Sequence, residues 1–126
     1  MIIECSVSLG ELIDKITILE IKKDKIKDDA KQILISNELD KLNEKLESLN
    51  LIDLTDLKEE LRKINHKLWL IEDDIRDKES ANEFDQDFIE LARSVYMTND
   101  LRFKVKNLIN MRYNSTIKEV KSYKGY

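Results

Sequence analysis

Apolar residues that recur at alternating three- and four-residue steps constrain the fold of this chain more than any other feature. Such a line falls on one side of an α-helix and is typical of helices that pack nearly parallel or antiparallel. The chain contains no proline and only two glycines, so it lacks the usual residues of β-turns and helix breaks. An all-α protein with a single domain over residues 1–126 is therefore predicted. The clearest line comprises Leu57, Leu61, Ile64, Leu68, Ile71 and Ile75.

The same spacing divides the chain into four helices. The first is expected to begin at Leu9, because Ser8 and Glu11 form a capping box before it, and its buried stripe runs from Leu9 to Ile26. Short connections predict two antiparallel hairpins, which form a bundle or, if the long pair projects, a coiled-coil-like arm. The predicted helices cover about 9–28, 31–49, 55–79 and 85–113.

The two termini carry a second kind of pattern. Residues 2–7 alternate apolar and polar side chains, which is the period of a half-buried strand. The tail after Asn114 keeps apolar residues but loses the helical spacing, so it can supply a neighbouring strand. A small two-stranded β piece made from both termini is therefore predicted as an addition to the helices, on which it would have to pack to persist.

Composition, charge and cysteine content indicate the cellular compartment and limit the kinds of binding partner that are expected. The opening apolar residues are too few to span a bilayer and lack the basic start of a signal peptide, so a cytoplasmic protein without membrane association is expected. The single Cys5 excludes a disulfide framework. Residues 93–126 hold eight basic and two acidic residues, yet the net charge of −4 makes the chain a poor nucleic-acid binder.

The fourth helix carries polar residues where its apolar seam should continue. This polar row consists of Asn99, Arg102, Lys106 and Asn110. A second apolar line, which includes Leu101 and Leu108, runs beside it, so we expect the row at the edge of the buried face. Buried cations must be paired or bind an anion. Pairing with Glu60 and Asn65 of the third helix and binding of a phosphate, sugar phosphate or partner carboxylate are both open.

Motifs for catalysis are mostly missing. There is no glycine-rich phosphate loop, paired-cysteine motif or nucleophile elbow, and neither a cofactor nor a metal is assigned to the chain. The densest acidic stretch ends the third helix, where Asp74 and Asp77, with Asp87 or Glu90 across the hairpin, carry the oxygen ligands that Mg²⁺ prefers. The alternative is a solvated face on which Arg76 pairs with Glu72.

Three stretches together resemble a known family. They are "SVSLGELIDKITILEIKKDKI", then "LWLIEDDIRDKE" with "FDQDFIELARSVYMTNDLRFKVKNLIN", and "EVKSY" near the end. The family consists of small bacterial and phage proteins of unknown function, sometimes found near or joined to glycosyltransferases and repeat-containing proteins. The resemblance covers the chain except for roughly residues 28–55. It implies no activity, and Val120 stands where the family often has a second acidic residue.

Pattern and resemblance together predict one polar pocket. If the tail folds back on the amino-terminal strand, the recurring polar positions gather there, and its lining would comprise Thr17, Glu20, Asn99, Arg102, Lys106, Asn110 and Lys121. The favoured interpretation is a non-enzymatic helical binding or assembly module, a homo-oligomer with a partner protein or a small phosphorylated ligand, linked to surface-polysaccharide synthesis. The alternative is a Mg²⁺-dependent hydrolase or transferase that acts on a phosphorylated nucleotide or sugar.

Overall fold

The computed structural model describes all 126 residues and contains four α-helices and no strand. Helices α1 and α2 form one hairpin, and helices α3 and α4 form another. The all-α class is confirmed, and each helix end lies within a few residues of its prediction. None of the helices has a stretch that is both long and apolar enough to cross a membrane. The bounds are α1 Leu9–Lys25, α2 Asp29–Ser48, α3 Thr55–Ser80 and α4 Gln86–Arg112.

Side chains rather than glycines end and begin these helices. The side chain of Ser8 accepts a hydrogen bond from the Glu11 amide, and Asp28 and Asp85 cap α2 and α4 in the same way. Four turn positions have φ between 51° and 59°, and all are asparagine or aspartate, the residues other than glycine that best tolerate this conformation. These residues are Asn50, Asp53, Asn82 and Asn114.

Helix α1 is the centre of the fold, because it packs on each of the other three helices whereas α2 contacts α1 alone. Two hydrophobic clusters lie on different sides of α1. The first joins Leu12, Ile16 and Leu19 of α1 to Ile35 and Leu39 of α2. The second joins Ile13 of α1 to Leu57 and Leu61 of α3 and to Val105 and Ile109 of α4.

The hairpin of α3 and α4 contains a region, residues 72–97, in which no residue is buried, and we call this region the arm. Its seam residues Ile75, Leu91 and Val95 are only half-buried. In the arm the seam side chains are covered by the facing helix and stay partly exposed at the sides.

The predicted two-stranded piece is absent, and that part of the fold prediction was wrong. Residues 1–7 are exposed and make no backbone hydrogen bond. The tail packs along α4 instead: Glu119 binds Lys106, the Lys121 ammonium lies 5.3 Å from the centre of the Phe103 ring, and the Tyr126 ring lies against Tyr96. These contacts bind the tail to a helix, so it is not available to pair with residues 2–7.

The closest approach of α1 to α4 gives a first test of the fold. A Cβ atom added at Gly10 would lie 2.6 Å from the backbone oxygen of Lys106, so Gly10→Ala should force the helices apart. We expect a loss of about 1–3 kcal/mol in the free energy of unfolding, because overpacking outweighs the better helix propensity of alanine. Urea denaturation measures it. Gly125→Ala is the matched control, since nothing lies within 4 Å of its Cβ position; equal stability of the two variants would contradict the packing.

Candidate functional site

The polar row of α4 is buried only in its second half: Lys106 and Asn110 are buried and Asn99 and Arg102 are half-buried, so the expected position at the edge of the buried face holds for the first two members alone. Lys106 and Asn110 are 5% and 1% exposed, whereas Leu101 and Leu108 are 46% and 50% exposed. Helix α4 therefore turns its polar residues inward and part of its apolar residues outward. The physical reason lies on α1, which presents small and polar side chains rather than leucines to this face of α4.

Asp14 is the centre of the resulting network. Its carboxylate is 1% exposed and accepts two hydrogen bonds from Arg102, one from Nε to Oδ1 at 2.8 Å and one from Nη2 to Oδ2. Asn65 of α3 donates from Nδ2 to Asp14 Oδ1 and to Thr17 Oγ1, each at 2.9 Å. The Thr17 hydroxyl in turn donates to the Asp14 backbone oxygen at 2.8 Å. One buried carboxylate thus ties three helices together.

Lys106 forms a second ionic contact one turn further along α4. Its ammonium lies 2.8 Å from a carboxylate oxygen of Glu11 and 3.0 Å from one of Glu119. Burial lowers the pKa of Lys106, but hydrogen bonds to both carboxylates outweigh burial and raise it above the usual lysine value. Hydrogen bonds that Arg102 donates to Asp14 likewise raise the pKa of Arg102 against the opposing effect of burial. Both cations therefore stay charged at neutral pH.

Asn110 and the tail complete the network at the amino end of α1. Asn110 Oδ1 accepts a hydrogen bond from the Gly10 amide at 2.7 Å, and Ser115 Oγ accepts one from the Leu9 amide at 3.2 Å. With the Ser8 cap, three side chains bind the free amides of the first turn. The Nδ2 group of Asn110 is buried and has no hydrogen-bond partner.

The structure brings together five of the seven predicted site residues. Thr17, Arg102, Lys106 and Asn110 belong to the network, and Asn99 borders it with Oδ1 3.5 Å from Arg102 Nη1. The other two lie apart: Glu20 pairs with cations of α3, and Lys121 lies over the rings of Phe103 and Tyr123. Binding of an external anion by these residues stays a prediction.

The expected partners on the third helix were half right, because Asn65 takes part but Glu60 is exposed and pairs with no cation. The carboxylates that pair with the row belong to Glu11, Asp14 and Glu119. A signal for the α1 partners exists in the sequence: Gly10, Asp14 and Thr17 follow at steps of four and three, which is the spacing of one helix face. No comparable pattern marks Glu119.

Several charged side chains elsewhere are also paired within the chain. Glu20 lies beside an open groove of about 440 Å³ between α1, α3 and the turn before α3, where Lys58 and Arg62 approach its two oxygens at 3.5 and 3.9 Å. At the acidic end of α3, Lys78 binds Glu83, Asp85 and Asp87, while Arg76 pairs with Glu72 at 3.3 Å. No three histidine, cysteine or acidic side chains are grouped so that they could hold a metal ion.

Loss of Arg102 should destabilise the fold strongly. Arg102→Ala leaves the buried Asp14 carboxylate without its cation, so we expect a loss of about 3 kcal/mol in the free energy of unfolding, measured by urea denaturation. Asp14→Asn added to that variant should recover part of the loss, since the neutral amide can still accept from Asn65. The exposed Arg76→Ala is the control and should change stability by less than about 0.5 kcal/mol. An equally small effect of Arg102→Ala would refute a stabilising network.

Comparison with known proteins places the chain in a family. A family model described as "Family of unknown function (DUF6165)" matches residues 1–126, the whole length of the chain. No curated protein and no solved structure shows a significant match. The chain belongs to this family of unknown function, DUF6165.

Proposed function

We propose that the chain is a helical assembly module that binds a protein partner through the outward face of α4. This face carries an apolar line that we call the outer stripe. Its members lie at steps of four, seven and three residues, so they share one side of the helix. The outer stripe consists of Met97, Leu101, Leu108 and Met111, which are 36%, 46%, 50% and 62% exposed.

The outer stripe carries the proposal because α4 buries polar side chains beside Val105 and Ile109 and leaves other apolar side chains exposed. A helix on the surface of a monomer normally buries its leucines and exposes its cations. Here Lys106 and Asn110 are buried at the cost of desolvation, while Leu101 and Leu108 face outward. Exposed apolar side chains that share one helix face are typical of protein interaction sites, since covering apolar surface releases about 25 cal/mol per Å².

The arm supports a helical partner in particular. Its half-buried seam would gain cover from a further helix, and Phe84 and Ile89 add exposed apolar surface, at 57% and 47%. An amphipathic helix laid along α4 could bury the outer stripe together with this apolar surface of the arm, which is the helix-in-groove mode of recognition.

We also propose a cellular location and a process for this assembly: it is cytoplasmic and linked to surface-polysaccharide synthesis in bacteria or their phages. This part of the proposal rests on the resemblance of the polar stretches described above. The Mg²⁺-dependent hydrolase or transferase gains no support from the site, because Arg102 and Lys106, the cations meant for the anionic substrate, already bind carboxylates of the same chain.

Site-specific cross-linking in the source organism tests the proposal. A photoreactive amino acid placed at Leu108 should cross-link to protein on irradiation, whereas the same group at Lys41, exposed on α2, should not. Cross-links from both positions, or from neither, would refute a docking surface on α4. Leu108→Gln should leave the free energy of unfolding within about 0.5 kcal/mol of the wild type, because the residue is already half exposed.

A thermal-shift series tests the enzyme alternative. We expect nucleotides, nucleotide sugars and sugar phosphates, with and without Mg²⁺, to leave the melting temperature of the wild-type protein unchanged, because the cations of the polar row are already paired. Only a ligand that prefers the folded state can raise that temperature. A rise that grows with ligand concentration and is absent in Lys106→Met would instead favour the alternative.

A further inference from the structure

We infer that the partner of the outer stripe is a second copy of the chain, bound through an antiparallel pair of α4 helices with a twofold axis at Met97. This inference rests on the proposed function, since it names the occupant of the same surface. Three observations support it: the distribution of charge along the hairpin, the unpaired charges beside the outer stripe, and the position of the axis within α4.

The two ends of α4 carry opposite charge. Residues 70–92, which include the tip of the arm and the start of α4, hold nine acidic and two basic residues. Residues 93–126 hold eight basic and two acidic residues. A parallel pair of α4 helices would place like charge beside like charge along its whole length. An antiparallel pair places the acidic end of each copy against the basic end of the other, so this surface is complementary to itself.

The charges that border the outer stripe are free to make such contacts. Glu90, Arg93 and Lys104 are exposed and form no ion pair within the chain, although most cations nearby are paired. Glu90 lies seven residues before Met97 and Lys104 seven residues after it, so all three share one helix face. With the axis at Met97, Glu90 of each copy lies opposite Lys104 of the other, and the pair forms twice.

The same axis lets residues 86–108 of the two helices overlap, which is 23 of the 27 residues of α4. Met97 lies near the middle of α4, whose 27 residues span about 40 Å. Leu108 and Met111 of one copy then approach Phe84 and Ile89 at the arm tip of the other. The contact joins the outer stripe to the apolar surface of the arm, and its length suits a standard interface of about 800 Å² per partner.

The experiment uses the full chain with Cys5→Ser, so that introduced cysteines are the only thiols. Sedimentation equilibrium should show a monomer that becomes a dimer as concentration rises. Under mild oxidation Met97→Cys should cross-link to itself across the axis. Glu90→Cys and Lys104→Cys should cross-link when the two proteins are mixed, and neither should do so alone. Circular dichroism and thermal melting confirm that each variant is folded.

A charge exchange tests the pairing without cysteines. Glu90→Lys should weaken the dimer about tenfold, because two attractive contacts become repulsive, and Glu90→Lys with Lys104→Glu should restore it. The weakening should shrink in high salt.

Each other result overturns the inference. Self-cross-linking at positions 90, 97 and 104 alike would mean a parallel pair. A monomer at every concentration would mean that no second copy binds; a cross-link from Leu108 to a different protein in cells would then leave the proposed function standing. Absence of any cross-link from Leu108 in cells would refute the proposed function as well.

Discussion

The ion pair between Asp14 and Arg102 is the interaction on which the arrangement of the helices depends. Asp14 is almost fully buried, and hydrogen bonds from the Arg102 guanidinium and the Asn65 amide offset the loss of water around its charge. The pair therefore tolerates one placement of α1 between α3 and α4. Lys106 and Gly10 support the same placement from the neighbouring turns, one by charge and the other by the absence of a side chain.

Because polar side chains of α4 occupy part of its buried face, some of its apolar side chains lie on the exposed face. Helix α4 has one set of leucines and methionines more than the monomer core can bury, because part of its inner face is given to Arg102, Lys106 and Asn110. Buried polar contacts are directional, so they fix the register of α1 against α4 more sharply than leucine packing would. The surplus apolar residues form the exposed outer stripe, so polar contacts and exposed apolar side chains lie on two different faces of one helix.

The sequence predicted the helices well and their contacts less well. Helix α3 follows from the spacing of Leu57 to Ile75, and the start of α1 from Ser8, since both signals are local. Whether residues of the polar row are buried depends on which side of α1 packs against α4. The spacing of residues within α4 cannot predict this tertiary contact. The prediction of a strand at residues 2–7 was wrong for a related reason. Alternation with a period of two gives a strand only when a second strand can pair with it, and the tail packs along α4 instead.

The position of α1 has a consequence for the order in which the chain can fold. Gly10 bonds to Asn110 and Asp14 to Arg102, so these contacts join residues 100 and 88 positions apart in sequence. The hairpin of α3 and α4 closes over a short connection and can form early, whereas docking of α1 must bear a large loop-closure entropy. During synthesis on a ribosome, α1 and α2 emerge first and can form the hydrophobic cluster that they share before α3 and α4 are made. The carboxylate of Asp14 stays in water until nearly the last residue of α4 has been made.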